Sequence, residues 1–345
     1  MRSQERNTRE KFVGAVMALT LVAAACGSDS DTETPGTDAP VETEAPVDTE
    51  APVDTEASVE TEAPVETDAP SATEAPASTD GEDTESAGIP ERVVSLSPTH
   101  TEIMFAIGAG DLFVAVDDFS NFPAEALELP NELSGFEPNI EAIAGFEPDL
   151  VLASGDGAQA QLEDLGIAVW VGPAASSIDD TYAQIEQLGA ATGRIAEAAE
   201  LVSSMQTRID AVVAEAPTSE TPLTYYHELD PTLFSTTSDT FIGEVYSLLG
   251  LVNIADEGAD GNQFPQLNAE AIIEANPDLI FLADTKCCAE TAETVAARDG
   301  WDAIAAVQNG NVIEMDDDIA SRWGPRIVDY LEAVSAAVNQ VAVSV

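Results

Sequence analysis

The sequence is poor in basic residues, histidine, cysteine and aromatic side chains. Its 345 residues include 11 lysines and arginines against 65 aspartates and glutamates, giving a formal net charge of −54, with 2 histidines and 3 cysteines. So acidic a chain does not attract nucleic acids or anionic lipids. Two histidines are also too few for the three or four clustered ligands expected of a first-row metal-ion site. These scarcities argue against nucleic-acid binding and against a dedicated metal-ion receptor.

Motifs of common enzyme classes are also absent. The sequence has no Gly-x-Ser-x-Gly, Walker or dinucleotide-binding glycine motif, and the Ser-Gly-Asp-Gly stretch at 154–157 is too short to count as one. We therefore expect neither catalysis nor a resident cofactor. A structural adhesin on a stalk is disfavoured by the two-lobed pattern described below, because two lobes enclose a cleft.

The first 26 residues have the pattern of an export signal. Basic residues within the first 11 positions precede an apolar run over 12–25, which is too short to span a bilayer comfortably. Residues 22–28, Val-Ala-Ala-Ala-Cys-Gly-Ser, resemble a bacterial lipobox, in which the cysteine becomes the lipidated first residue. We therefore expect a lipoprotein anchored through Cys26 to the outer face of the cytoplasmic membrane. An ordinary cleaved secretory signal is the alternative.

Residues 27–88 read as a tether. An Ala-Pro-Val-Glu/Asp-Thr-Glu motif recurs in this segment. The segment has neither lysine nor arginine and almost no large apolar side chains. Such a segment cannot bury enough surface to offset the entropy lost on ordering. We expect an acidic, disordered spacer, followed by a folded binding domain over 89–345.

Two blocks of that domain repeat one pattern. Residues 137–152 and 265–282 each place a glutamate in a first helical turn, follow it with apolar residues at helical spacing, and then reach Pro-Asp before an aliphatic run. One duplication at this distance does not indicate a solenoid. It indicates two similar α/β lobes with a cleft between them.

The remaining pattern alternates strands and helices, which is typical of parallel sheets covered on both faces. We predict an α/β fold with two Rossmann-like lobes, an N-lobe at about 89–175 and a C-lobe at about 222–345. One long helix at about 194–214 joins them. Thr99 and Glu102 have the spacing of a capping box for the first helix. The predicted strands lie at 92–97, 113–116, 150–153, 168–171, 223–226, 279–282 and 312–315.

Several motifs together resemble one family. Residues 92–98, Arg-Val-Val-Ser-Leu-Ser-Pro, and the block from Glu137 resemble the N-lobe of helical-backbone substrate-binding proteins of ABC importers. Residues 119–123, Phe-Ser-Asn-Phe-Pro, are similar to its cobalamin-binding branch. The resemblance implies a monomeric receptor that captures a metal chelate, either a cobalamin-type corrinoid or a ferric siderophore, and delivers it to an ABC permease and its ATPase. A haem or metal-ion receptor of similar fold is the alternative.

The resemblance also assigns roles to residues. Glu141 and Glu270, one on each lobe, occupy the positions that dock on permease arginines in the family. Arg322 is our candidate for a polar contact to cargo through its fork of donors, whereas Arg326 is expected to cap a helix or pair with a carboxylate. Aromatic faces in loops after strands would enclose the cargo. These are Phe119, Phe122, Phe136, Phe234, Phe264 and Trp323.

The two histidines and the last two cysteines leave alternatives open. His100 and His227 follow predicted strands in different lobes, so they either share a metal across the cleft or are hydrogen-bonded structural residues. Cys287 and Cys288 are adjacent in an exported protein. They could form a vicinal disulfide or a thiol pair that faces the ligand.

Overall fold

The computed structural model describes residues 88–217 and 221–344. The predicted export signal, Cys26 and the tether up to residue 87 lie outside these ranges. Within them, no helix combines the length and apolar character that crossing a membrane requires.

The N-lobe is built on a parallel four-stranded sheet. Its order is β2-β1-β3-β4, with β1 at the centre beside β3 and Val94 opposite Val151. The strands are β1 (Val93–Ser95), β2 (Phe113–Ala115), β3 (Leu150–Ala153) and β4 (Ala168–Val171). The helices are α1 (Pro98–Ala106), α2 (Ile140–Ala144) and α3 (Gln159–Glu163), with 3₁₀ turns at Gly110–Leu112 and Ala124–Glu128.

Two helices lead from the N-lobe to the C-lobe. Helix α4 (Ile178–Thr192) begins with a capping box in which Ser177 and Asp180 satisfy each other's backbone N–H groups, and it ends at Gly193, whose φ of 72° needs a residue without a Cβ. Helix α5 (Ile195–Glu215) has 21 residues and is therefore about 30 Å long. The buried residues of α5 are Ala198, Val202, Met205 and Ile209, which lie at helical spacing on one face.

The C-lobe repeats the N-lobe topology in the order β6-β5-β7-β8, with all strands parallel. The strands are β5 (Thr224–Glu228), β6 (Val252–Asn253), β7 (Leu279–Leu282) and β8 (Val312–Glu314). The helices are α6 (Phe241–Leu248), α7 (Ala269–Ala275), α8 (Ala292–Ala296), α9 (Ala305–Asn309), α10 (Asp317–Ser321) and α11 (Ile327–Ser344), with 3₁₀ turns at Ile254–Asp256 and Trp301–Ala303. This confirms the predicted α/β fold with two lobes.

The two copies of the duplicated block make the same hydrogen bonds in the two lobes. Asn139 and Asn268 cap α2 and α7, because each side-chain oxygen accepts a backbone N–H of the first turn, at 3.1 and 2.9 Å. The aspartate of each Pro-Asp pair then holds the beginning of the central strand. Asp149 accepts the N–H of Arg92 at 3.0 Å, and Asp278 accepts the N–H of Thr224 at 2.9 Å.

The predicted capping box of α1 is wrong. The helix begins at Pro98, and the side chain of its N-cap residue, Ser97, accepts no capping hydrogen bond. Thr99 is buried, and the Glu102 carboxylate binds arginines of the C-lobe instead of the helix's own first turn. Proline at the first position lowers the need for a cap, because it has no N–H to satisfy.

One apolar core runs through both lobes. It joins Val93 and Leu152 of the first sheet to Tyr225 and Phe281 of the second, through buried residues of α4 and α5 such as Leu188. Separate smaller cores lie on the other face of each sheet. Sharing a core across the lobes opposes wide opening, because opening would expose apolar surface to water.

Candidate functional site

A cavity of about 1050 Å³ lies where loops from the two sheets meet. Its N-lobe wall comes from residues that follow β1, β2 and β3, and its C-lobe wall comes from residues that follow β7 and β8. Ligands of parallel α/β sheets bind outside the carboxyl ends of the strands, so this cleft cavity is the candidate site.

The N-lobe wall is mainly apolar. Phe119 and Phe136 lie edge to face with their ring centroids 5.7 Å apart, and they are 51% and 84% exposed. Leu96, Pro138 and Ala153 continue the wall. Two large aromatic rings left in water beside a cavity form a surface that a flat or apolar ligand would cover.

The C-lobe wall is polar and firmly supported. Lys286 binds Asp316 at 2.5 Å and Asp318 at 2.7 Å. The Asp317 carboxylate accepts the backbone N–H groups of Thr285, Lys286 and Cys287 at 2.8–2.9 Å, which fixes the loop after β7. Burial raises the pKa of Asp318, but Lys286 and a nearby arginine outweigh it, so the net shift is downward.

Asp117 is a cavity residue that the sequence did not single out. It follows β2, is 2% exposed and accepts a short hydrogen bond from Ser120. Burial raises the pKa of Asp117 to about 6, against the lowering effect of the Ser120 hydrogen bond. Lys286 was also missed, although a signal was available, because it is the only lysine after residue 11.

Arg322 lines the cavity but does not present an open fork to it. Both Nη1 hydrogens have acceptors, in Glu102 at 2.8 Å and Asn121 at 2.9 Å. Nη2 donates to the Phe119 carbonyl at 3.0 Å and to Asp318 at 2.6 Å. Neighbouring protein groups thus already occupy the Nη donors, and the cargo contact of Arg322 stays a prediction.

Arg326 pairs with a carboxylate, as predicted, and the partner lies on the other lobe. Its Nε and Nη2 donate to the two oxygens of Glu102 at 2.9 and 2.6 Å. The guanidinium also lies 4.2 Å from the ring centroid of Phe122, a cation–π distance. Phe122 thus supports Arg326 and does not line the cavity.

The remaining aromatic candidates divide between the cavity and other surfaces. Trp323 lines the cavity, and its Nε1 donates to Gln184 at 3.0 Å. Phe234 and Phe264 are not among the lining residues. They are 38% and 46% exposed in the loops between β5 and α6 and between β6 and α7, and neither loop reaches the cavity wall. Their binding role stays a prediction.

Both histidines are interior hydrogen-bonded residues. His100 lies 3.2 Å from Gln184 and His227 lies 2.8 Å from the Tyr246 hydroxyl. Burial lowers their pKa values to about 4 and about 3, although the Gln184 hydrogen bond opposes the shift of His100. Neither lines the cavity, and no group of three or more potential ligands in the described ranges could hold a metal ion. This favours the structural alternative for both.

Cys287 lines the cavity beside its neighbour. The two sulfur atoms are 2.6 Å apart, and both residues are exposed free cysteines. Partial desolvation, the contact with Cys288 and nearby carboxylates raise the pKa of Cys287 to about 12, so its thiol is held protonated. Of the two cysteines, only Cys287 is among the lining residues, and the role of the pair toward a ligand stays a prediction.

Glu141 and Glu270 occupy equivalent places on the two lobes. Each is the second residue of its helix, α2 or α7, and each is exposed. Their carboxylates stand in the first turn, where the helix dipole favours negative charge.

Known proteins resemble this chain in sequence and fold. Residues 93–319 match the family model described as "Periplasmic binding protein". An ABC transporter substrate-binding lipoprotein, YvrC of Bacillus subtilis, is 32% identical over 72% of this chain and 80% of that protein. A cobalamin-binding protein of Halobacterium salinarum is 30% identical over 74% of this chain and 71% of its own length. The crystal structure of the periplasmic vitamin B12-binding protein BtuF of Vibrio cholerae aligns with a TM-score of 0.63 and 28% identity, covering 74% of this chain and 98% of that one.

Proposed function

Because the chain belongs to the periplasmic binding protein family, we propose that it is an extracytoplasmic receptor for a metal chelate, with a cobalamin-type corrinoid as the first candidate. The observation that carries this proposal is the cleft cavity, which is about 1050 Å³ and has an exposed aromatic wall facing a polar one. A corrin macrocycle is apolar on its faces and carries amides at its edge, so it suits two such walls. The chain would act as a binding protein, not as an enzyme.

The cavity favours a metal that arrives with its own ligands. Its lining residues, all in the described part of the chain, include no histidine, tyrosine or methionine that could become an axial ligand of haem iron. Cys287 is the one sulfur ligand among these lining residues, and its raised pKa opposes the thiolate form that iron would bind. A corrinoid or a ferric siderophore needs no such ligand. The chelate would be cargo, and we propose no resident cofactor.

Delivery to an ABC permease would use both lobes. We propose that Glu141 and Glu270 dock on permease arginines, since each is exposed and each lies on a helix held by an asparagine cap. The variant with both residues changed to lysine should lose uptake and keep cargo affinity. Lost affinity would refute the docking assignment.

We further propose that the protein acts as a monomer held at the membrane by a lipid on Cys26. The lipobox-like sequence supports this anchor, as does the description of one relative as a lipoprotein. Replacing Cys26 with serine should release the protein from membranes and abolish its labelling with radioactive palmitate. Unchanged membrane retention would exclude the lipid anchor.

Calorimetric titration of the full chain tests the cargo assignment. Cyanocobalamin, haemin, a ferric hydroxamate siderophore and Zn²⁺ would be compared under one buffer condition. We expect one chelate per protein molecule, with cyanocobalamin tightest and Zn²⁺ not bound. Tightest binding of haemin would support the haem alternative, and binding of Zn²⁺ alone would refute the chelate proposal.

A further inference from the structure

A buried ionic cluster crosses the cleft between the lobes. Glu102, on α1 of the N-lobe, accepts hydrogen bonds from Arg322 at 2.8 Å and from Arg326 at 2.6 and 2.9 Å, both from the C-lobe segment between α10 and α11. The side chains are 2%, 6% and 14% exposed, respectively. Because this carboxylate is removed from water, its charge is stabilised by the two guanidinium groups of the opposite lobe.

A second set of contacts ties the same C-lobe segment to the N-lobe loop after β2. Arg322 donates to the Asn121 side chain at 2.9 Å and to the Phe119 carbonyl at 3.0 Å. Asp318 accepts from Asn121 at 3.1 Å and from Arg322 at 2.6 Å. The two lobes are therefore joined by a network of hydrogen bonds in which Arg322, Asp318 and Asn121 each bind the other two.

The cluster and the cavity wall share the same backbone. Pro98 and Thr99, on the same helix α1 as Glu102, are part of the N-lobe wall together with Phe119 and Asn121. Asp318, Arg322 and Trp323 are part of the C-lobe wall. Only a few residues separate the latter group from Arg326. A change in the spacing of Glu102 and the arginines must therefore move both walls of the cavity.

We propose that Glu102, Arg322 and Arg326 form an interlobe latch, and that they are positioning residues which hold the two cavity walls at a fixed spacing before cargo arrives. The cargo then binds a preformed cleft and need not close it. The effect on cargo rests on the proposed function, whereas the effect on lobe contacts does not.

Removing the charge of Glu102 tests the latch. Glu102→Gln keeps the side-chain size but removes the cross-lobe carboxylate, which leaves Arg326 without a carboxylate partner and Arg322 with Asp318 alone. Losing one partner of a buried charge pair is costly. We expect amide hydrogen exchange in residues 117–123 and 316–326 of the cargo-free full chain to become more than about tenfold faster, with α4 unchanged as an internal reference. By stopped flow with cyanocobalamin, the dissociation rate should rise more than about tenfold, because cavity walls that are no longer held at a fixed spacing separate more readily around the cargo, and affinity differences between related complexes lie mainly in dissociation.

Three further variants keep the test decisive. Arg326→Gln removes one cross-lobe donor pair and should change the same exchange and dissociation rates by a smaller factor, while Arg326→Lys should restore part of the loss. Arg208→Gln is the matched control, because Arg208 pairs on the surface with Asp329 at 2.7 Å and Glu332 at 2.8 Å, away from the cavity. It should leave both rates unchanged.

The two rates distinguish an interlobe latch from a general contribution of these side chains to stability. Wild-type exchange and dissociation rates in both Glu102→Gln and Arg326→Gln would overturn the latch, even if unfolding temperatures fell. If Glu102→Gln does not fold, Arg326→Gln decides on the same two readouts. If the wild type binds no cyanocobalamin, the proposed cargo fails, while hydrogen exchange of the cargo-free variants still accepts or rejects the latch.

Discussion

At the level of single residues, the cleft cavity combines exposed aromatic rings with two carboxyl groups. The surroundings of one group stabilise its anionic form, and the surroundings of the other favour its neutral form. Asp318 is stabilised as an anion by Lys286 and Arg322, whereas burial favours the neutral form of Asp117. Two carboxyl groups in one cavity thus respond differently to pH. This difference comes from their surroundings and not from their chemistry.

Asp117→Asn should stabilise the cargo-free protein near neutral pH. The folded pKa of about 6 lies above the ordinary 3.8, so the charged form of Asp117 is penalised on folding and the penalty is complete above pH 6. We expect the free energy of unfolding of the variant to exceed that of the wild type by up to about 3 kcal/mol at pH 7.5. This difference should fall between pH 6 and pH 4 and vanish below pH 4. Urea unfolding across this pH range measures the difference.

Asp164→Asn is the control, because Asp164 is an exposed aspartate of the N-lobe that does not line the cavity and is not among the charges that act on Asp117. It should show little change at any of these pH values. A stability difference for Asp117→Asn that is constant from pH 4 to 8 would show that burial of the charge is not the cause.

At the scale of elements, the duplicated block shows how much local sequence decides. Asparagine before each helix and aspartate before each strand predict a short capped helix followed by a buried strand, and both lobes have them. Strand β6 was missed, because two residues are too few to give a period-two pattern. Such short strands are stabilised by pairing with a neighbouring strand, here β5, and not by a pattern in their own sequence.

The asparagine caps should contribute equally in the two lobes. Asn139→Ala and Asn268→Ala each remove a side-chain acceptor for a first-turn N–H, so each should lower the free energy of unfolding by about 1 kcal/mol. Asn339→Ala, at an exposed position inside α11, should instead be neutral or slightly stabilising, because alanine has the higher helix propensity. Guanidinium unfolding measures all three variants. Equal losses at all three positions would contradict the capping assignment.

At the scale of the whole molecule, the contacts that define the cavity could not be predicted from the sequence. Glu102 and Arg322 are 220 positions apart, and the sequence around either residue does not indicate that the two are in contact. Glu102 instead suggested a capping box, and the loop after β8 suggested a free arginine. The same limit applies to Phe234 and Phe264, because loop position alone does not say which loops meet across the cleft.

Charge is also a whole-molecule property, and it predicts a response to salt. Acidic residues far outnumber basic ones in the folded domain as well as in the tether, so repulsion among surface carboxylates should destabilise the folded chain at low ionic strength. Raising NaCl from about 0.05 to 1 M screens this repulsion and should raise the unfolding temperature. Calorimetry measures the shift. A falling unfolding temperature would mean that attractive ion pairs such as Arg208 with Glu332 outweigh the repulsion.

The proposed function places an intact metal chelate in the cleft cavity, between an aromatic and a polar wall. Anomalous X-ray diffraction at the cobalt edge, from crystals grown with cyanocobalamin, would locate this chelate. We predict one cobalt peak per molecule inside the cavity, between Phe136 and Lys286. A cobalt peak outside the cleft, or none from a protein shown to be saturated in solution, would contradict the claim.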